Sequence, residues 1–185
     1  VPATQWRPAY PQIIYERKLR WNGNGTFQIA EDVTTDDYFM PASSPGLGGS
    51  CPAASRKLAE MPLTLGTNAD LESFLNSINP LGSTYHDIGM IWGGRLISPT
   101  GLFASENADL PGKPTQRHLI FLTDGITEPR DVAYGAYGVE PLDQRRCTGT
   151  CNTSDLTPIV EGRFKVACEQ VKNRNVTVWV IGFGV

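Results

Sequence analysis

Asp124 follows the apolar run Leu119-Ile120-Phe121-Leu122 and precedes Gly125, which puts a carboxylate where a buried strand gives way to a turn. Thr84 stands just ahead of a helix-periodic stretch with Tyr85, Ile88 and Trp92 on one face, and so offers a hydroxyl from a loop-to-helix junction. A carboxylate and a threonine hydroxyl are hard oxygen donors, suited to Mg²⁺, Mn²⁺ or Ca²⁺ rather than to zinc or copper. Taken singly, each has an ordinary structural reading: Asp-Gly is a turn, and a threonine before a helix is an N-cap. Their order, loop-helix and then strand-loop, is what suggests a shared site.

Other residues with chemical potential point to less. Cys147-x3-Cys151 has the spacing of a local disulfide in an oxidising compartment, whereas zinc is the weaker reading, since His86 and His118 lie far off in sequence and no Cys-x2-Cys pair exists. His86 and Asp87 are neighbours on a helix, so their side chains diverge and cannot form a catalytic pair. A hydrolase would need an activated nucleophile, and the chain has no Gly-x-Ser-x-Gly elbow. It also has no phosphate loop ending in Gly-Lys-Ser/Thr. His86 reads as a half-buried hydrogen-bonding residue near the site, His118 as a polar strand opener, and Cys168 as a free thiol on the apolar face of a helix.

The frame that must hold these residues is 185 residues long, with 40% hydrophobic and 19% charged residues, enough for one domain with a sizeable core. The net charge of -3, with basic residues never in runs longer than pairs such as Arg56-Lys57 and Arg145-Arg146, argues against a nucleic-acid groove. No apolar stretch approaches the roughly 18 residues that span a bilayer. The 19 glycines and 14 prolines imply long loops on a regular frame.

Residues 1–50 form an aromatic-rich section. Ile13, Tyr15, Leu19 and Trp21 alternate with polar partners, Asn22-Gly23-Asn24-Gly25 intervenes, and Phe27 and Ile29 alternate again, which predicts an antiparallel hairpin over 12–21 and 26–30. Residues 41–55 read as a loop. Beyond it the pattern becomes α/β, with a short strand at 57–65 and a helix whose stripe is Leu71, Phe74, Leu75 and Ile78, capped at Thr67 or Asn68 and ended by Asn79-Pro80. A second helix runs from near Thr84 to Ser98-Pro99. A central parallel strand at 119–122, covered on both faces, comes next. A helix carrying Val160, Phe164, Ala167 and Val171 then leads to a β-branched strand at 176–181, completing a right-handed βαβ unit. Ligands of open α/β sheets bind beyond the carboxyl ends of the strands, where Asp124 stands.

Three segments, Gly82-Ser83-Thr84-Tyr85-His86-Asp87-Ile88-Gly89-Met90-Ile91-Trp92-Gly93, Leu119 to Gly125 and Val178 to Gly184, together resemble the latter half of a von Willebrand factor A domain. They are most similar to the TadG-like proteins of the bacterial Tad (Flp) pilus assembly system, with Cys51-Pro52, Arg56-Lys57-Leu58 and Ala136-Tyr137-Gly138 adding to the likeness across residues 51–185. The resemblance implies an α/β fold with a Rossmann-like, mostly parallel sheet flanked by helices, carrying the 1–50 hairpin and loops as an insertion. It implies a metal-ion-dependent adhesion site with Thr84 and Asp124 as ligands, Mg²⁺ as the first choice, and a protein partner that supplies a carboxylate to the metal. It also implies a bacterial, extracytoplasmic setting, membrane-anchored in the full protein, and no enzymatic activity. The family's Asp-x-Ser-x-Ser motif has no counterpart, since no Asp here has Ser at both +2 and +4. The expectation that follows is a stretch of a longer protein that begins after the first two strands. Two alternatives are a structural pilus component without a working metal site, and a metal-dependent hydrolase using Asp124 and His86.

Overall fold

The structure, a computed structural model, describes residues 6, 15–17, 19–21, 27–29, 39–41, 55–60, 69–78, 83–129, 136–138, 140, 144–149 and 151–184. The chain divides into two units, one of residues 54–78, 84–128 and 158–185, the other of residues 1–53, 79–83 and 129–157.

In the second of these, short strands pair locally. β1 (Tyr15–Arg17) pairs antiparallel with β4 (Phe39–Pro41), and β2 (Leu19–Trp21) pairs antiparallel with β3 (Phe27–Ile29) with Trp21 opposite Phe27. The β2–β3 pair has the register expected of a hairpin over this stretch, and its turn falls outside the described residues. What the alternation does not reveal is that Tyr15–Arg17 pairs with Phe39–Pro41 and not with the strand at Phe27–Ile29.

The first unit holds the helices and the parallel sheet. It contains α1 (Ala69–Ser77), α2 (His86–Ile97), α3 (Ala104–Asn107), β5 (Arg117–Thr123), the length of α4 (Thr153–Lys172) from Pro158 onward, and β6 (Val176–Gly182). β5 and β6 pair in parallel from Arg117 opposite Val176 to Thr123 opposite Gly182, joined through α4, so the molecule is mixed helix and strand with a two-stranded parallel sheet flanked by helices. Asn175, at φ 59°, turns the chain from α4 into β6 in the left-handed region that asparagine tolerates. At the other end of α4, Asn152 and Asp155 exchange side-chain bonds with each other's backbone N–H at 3.0 and 3.1 Å, a reciprocal cap.

The core lies on one face of this sheet. Met90 and Ile97 of α2, Leu119 of β5, Val171 of α4 and Val176 of β6 are buried together, with Phe121, Phe164, Ala167, Cys168 and Val178 packed against them. The free thiol of Cys168 is half-buried.

Three expectations need correction, and the exposure of α1 is a further finding. Residues 57–60, the described part of the strand expected at 57–65, carry no strand and are exposed, with Lys57 reaching Glu106 at 2.9 Å instead. The α1 stripe forms on a helix, yet Leu71, Leu75 and Ile78 remain exposed and only Phe74, under the Arg56 guanidinium, is half-buried. The inner face of α2 is Asp87, Met90, Gly94 and Ile97, while Trp92 points outward beneath Arg95. β5 is covered on one face only: Ile120 and Leu122 are 61% and 63% exposed, as are large parts of their neighbours Trp179 and Ile181.

The α2 correction has a steric cause. A Cβ at Gly94 would stand 2.5 Å from Val171 Cγ2, and one at Gly93 would stand 2.8 Å from Leu119 Cδ1, so these glycines let α2 close on α4 and β5. Adding that methyl overpacks the core by about 1–3 kcal/mol. The gain from removing a helical glycine, about 0.5–1 kcal/mol, offsets only part of it. Gly94→Ala is therefore expected to lower the melting temperature, and Gly162→Ala, whose new Cβ meets nothing within 4 Å, to raise it. Paired thermal melts check this; a Gly94→Ala variant as stable as wild type would show that Val171 can turn aside.

Candidate functional site at the carboxyl end of the parallel sheet

β5 ends at Thr123, and the chain turns at Gly125 with φ 100°, a conformation open to glycine and strained for other residues. Asp124 therefore leaves the sheet at its carboxyl edge and is exposed. Thr84 lies two residues before α2, half-buried, and is not the helix cap; Tyr85 takes that position with no side-chain cap bond. Its main chain instead forms a two-bond antiparallel bridge to Glu128, Thr84 N–H to Glu128 O and Glu128 N–H to Thr84 O, both 3.1 Å.

A second tie lies two residues further along, at the start of α2. His86 is half-buried between Phe121 and Phe164, at ring-centroid distances of 5.6 and 5.8 Å, and both its ring nitrogens are engaged. Nε2 is 2.8 Å from Thr123 Oγ1, and Nδ1 is 2.8 Å from Thr127 Oγ1. In a neutral imidazole one nitrogen donates to a hydroxyl and the other accepts from the second hydroxyl. Thr123 Oγ1 also accepts from Gly125 N–H at 3.1 Å, closing the turn around Asp124. Thus the Thr84 segment and the loop 123–128 are held by backbone bonds at one end and by the His86 clamp beside them. A histidine so occupied is a brace; serving as metal ligand or general base would require breaking one of these bonds.

Asp87, the residue beside the brace, is fully buried; its Oδ1 accepts from Ile88 N–H at 2.9 Å and its Oδ2 lies 3.3 Å from Arg163 Nε, which ties α2 to α4. The exposed rim of this edge is mixed. Ile126, in the loop itself, is 68% exposed, and Phe183, whose N–H donates to Thr123 O at 3.0 Å, is 58% exposed.

The donor set fits a hard divalent cation in kind and falls short in number. Thr84 and Asp124 supply two oxygens toward the six of octahedral Mg²⁺, the hydroxyls of Thr123 and Thr127 are engaged by His86, and among the described residues no group of three or more His, Cys, Asp or Glu gathers around one point. Of the residues singled out in the sequence, the structure brings Thr84 and His86 to the loop that begins at Asp124. The roles of Thr123, Thr127, Ile126 and Phe183 carry no local sequence signal.

The two cysteines stand elsewhere, in the other unit. Cys147 and Cys151 are joined, with their Cα atoms 6.6 Å apart. Closing so short a loop removes little entropy from the unfolded chain, so reduction is expected to cost about 2 kcal/mol. Urea melts with and without reductant check this. A loss well above that would mean that the bridge supports more than its own loop.

Comparison with family models, with curated proteins and with solved structures gives no match. Among the described residues, no helix is long and apolar enough to cross a membrane.

Proposed function

We propose that the chain is a non-enzymatic binding module of the von Willebrand factor A type, acting outside the bacterial cytoplasm in a Tad-like pilus or adhesion system, with the carboxyl edge of the β5–β6 sheet as its binding face. The observation that carries this reading is the clamped loop: Thr84 and His86 are pinned to residues 123–128, which leaves Asp124 and Ile126 displayed on a rigid support. A carboxylate beside exposed large apolar side chains is the composition of a contact surface, since apolar anchors supply the buried area and a charge sets the orientation.

On this reading Thr84 and Asp124 would hold a divalent cation, Mg²⁺ first, whose remaining positions are filled by water and by a carboxylate of the partner. The bound cation would supply a fixed positive charge for that carboxylate. The chain's own residues position the donors: the Thr84–Glu128 bridge sets the hydroxyl, and the Thr123–Gly125 bond sets the turn that bears Asp124. The hydrolase alternative is disfavoured because His86, its candidate base, has both nitrogens occupied.

Ile126→Asp tests the face independently of the metal. It removes an apolar anchor from an exposed position, so the fold should be unaffected and surface attachment or piliation of cells carrying it should fall by about ten-fold or more, the loss of one good anchor. Attachment equal to wild type would remove this edge from the contact.

A further inference from the structure

One flank of α4 and the facing side of α2 enclose a groove of about 600 Å³, on residues separate from the Thr84–Asp124 edge. Its apolar lining includes Ile91, Ile159 and Val166, the last 60% exposed, which leaves hydrocarbon facing solvent along the trough. Among the described residues, the ionisable ones lining it are arginines: Arg95 on α2, Arg163 on α4 and Arg174 just past the end of α4. The charged side chains of this described lining are thus basic, and Arg163, paired with Asp87 at 3.3 Å, is still 41% exposed.

The arginines are spread along the groove. Arg163 and Arg174 are eleven residues apart, with α4 running from the first to Lys172, so they stand at two well-separated points along the groove. Arg95 faces them from α2, its guanidinium carbon 4.9 Å from the Trp92 ring centroid, while Arg163 is set by its contact with Asp87. Gly162 lies in the lining between them, in a helix interior where glycine costs about 0.5–1 kcal/mol relative to alanine. A Cβ there would meet nothing within 4 Å, so the space above it is open to the approach of another backbone.

We infer that this groove docks an acidic amphipathic helix of a partner protein. Its apolar stripe lies against Ile159 and Val166, and carboxylates about three turns apart meet Arg163 and Arg174, with Arg95 reaching across. Arginine suits this task because its planar fork pairs with a carboxylate through two parallel bonds. The length of the basic array is what selects a helix, since a single-headed anionic amphiphile would engage one end only. The inference does not rest on the metal-site reading.

The test is fluorescence anisotropy on the full-length protein with a labelled synthetic helix that carries glutamates about eleven positions apart and leucines at the i+4 and i+7 positions between them. Wild type should bind this probe more tightly than the same peptide with lysines for glutamates. Arg174→Glu, an exposed change beyond the helix, should weaken the acidic probe by about ten-fold and reverse the preference between the two peptides. Val166→Asp should weaken both. Equal binding of the two peptides, unchanged affinity in Arg174→Glu, or failure of the acidic probe to bind would overturn the proposal. So would displacement of the probe by stoichiometric dodecanoate, which would assign the groove to a small anionic amphiphile.

Discussion

Glu140→Ala is expected to destabilise the protein by about 3–5 kcal/mol, the cost of stripping one partner from a buried ion pair. Glu140 is 1% exposed, and its carboxylate is fully used: Oε1 accepts from the backbone N–H of Arg146 at 2.7 Å and of Cys147 at 3.1 Å, and Oε2 accepts from Arg146 Nε at 2.6 Å. Arg146 is buried with it, its side chain also 1% exposed and its guanidinium carbon 5.1 Å from the Tyr137 ring centroid. Alanine would leave a guanidinium in a dry interior and two backbone donors without their acceptor, each a penalty of about 1–3 kcal/mol on its own. Glu140→Gln keeps one acceptor oxygen and should lose less. Urea unfolding of the three proteins measures both losses. A Glu140→Ala variant within about 1 kcal/mol of wild type would mean that solvent reaches Arg146 and replaces the carboxylate.

The parts of the fold that the sequence makes legible are those written in local periodicity. The α4 stripe of Val160, Phe164, Ala167 and Val171, the end of α2 at Ser98-Pro99 and the strands read at 119–122 and 176–181, which the structure extends to 117–123 and 176–182, follow from local pattern. The inner face of α2 does not. Trp92 is the largest apolar residue on that helix and invites burial, yet the surface of closest approach is made by glycines, which carry no hydrophobic signal, and by Asp87, which is buried because Arg163, 76 residues away, meets it. The uninterrupted run at 119–122 suggests cover on two faces, but an apolar run shows only that a residue suits burial, and Ile120 and Leu122 stay open in this chain.

The site divides in the same way. Asp124 and Thr84 are legible because a turn after a strand and a loop before a helix are local features. The clamp that relates them is not, since His86 reaches partners 37 and 41 residues on, and nothing in Thr123 or Thr127 marks either hydroxyl as its counterpart. The fold class is legible as a parallel pair of strands flanked by helices.

Asp124→Ala should abolish metal-linked binding by the full-length protein while leaving it folded. The carboxylate is exposed at the end of β5, so its removal should change stability by about 1 kcal/mol or less, within the range of surface substitutions away from caps and cores. Its charge, however, is the only formal one among the two donors, and a neutral hydroxyl alone does not hold a divalent ion against water. Thr84→Ser keeps the hydroxyl and should retain much of the binding. Thr84→Ala should lose it with the backbone bridge to Glu128 intact, because that bridge uses main-chain atoms only. EDTA should reproduce the Asp124→Ala defect in wild type and add nothing to the variant.

The most direct measurement is surface attachment or piliation of cells expressing wild type or Asp124→Ala at matched levels, each with Mg²⁺ or with EDTA, with thermal melts of the purified proteins in parallel. The proposed metal-dependent binding predicts wild-type attachment that is lost in EDTA, and an Asp124→Ala variant that melts like wild type and attaches in neither condition. Normal attachment by a well-expressed, folded Asp124→Ala variant would contradict it and leave a structural component without a working metal site.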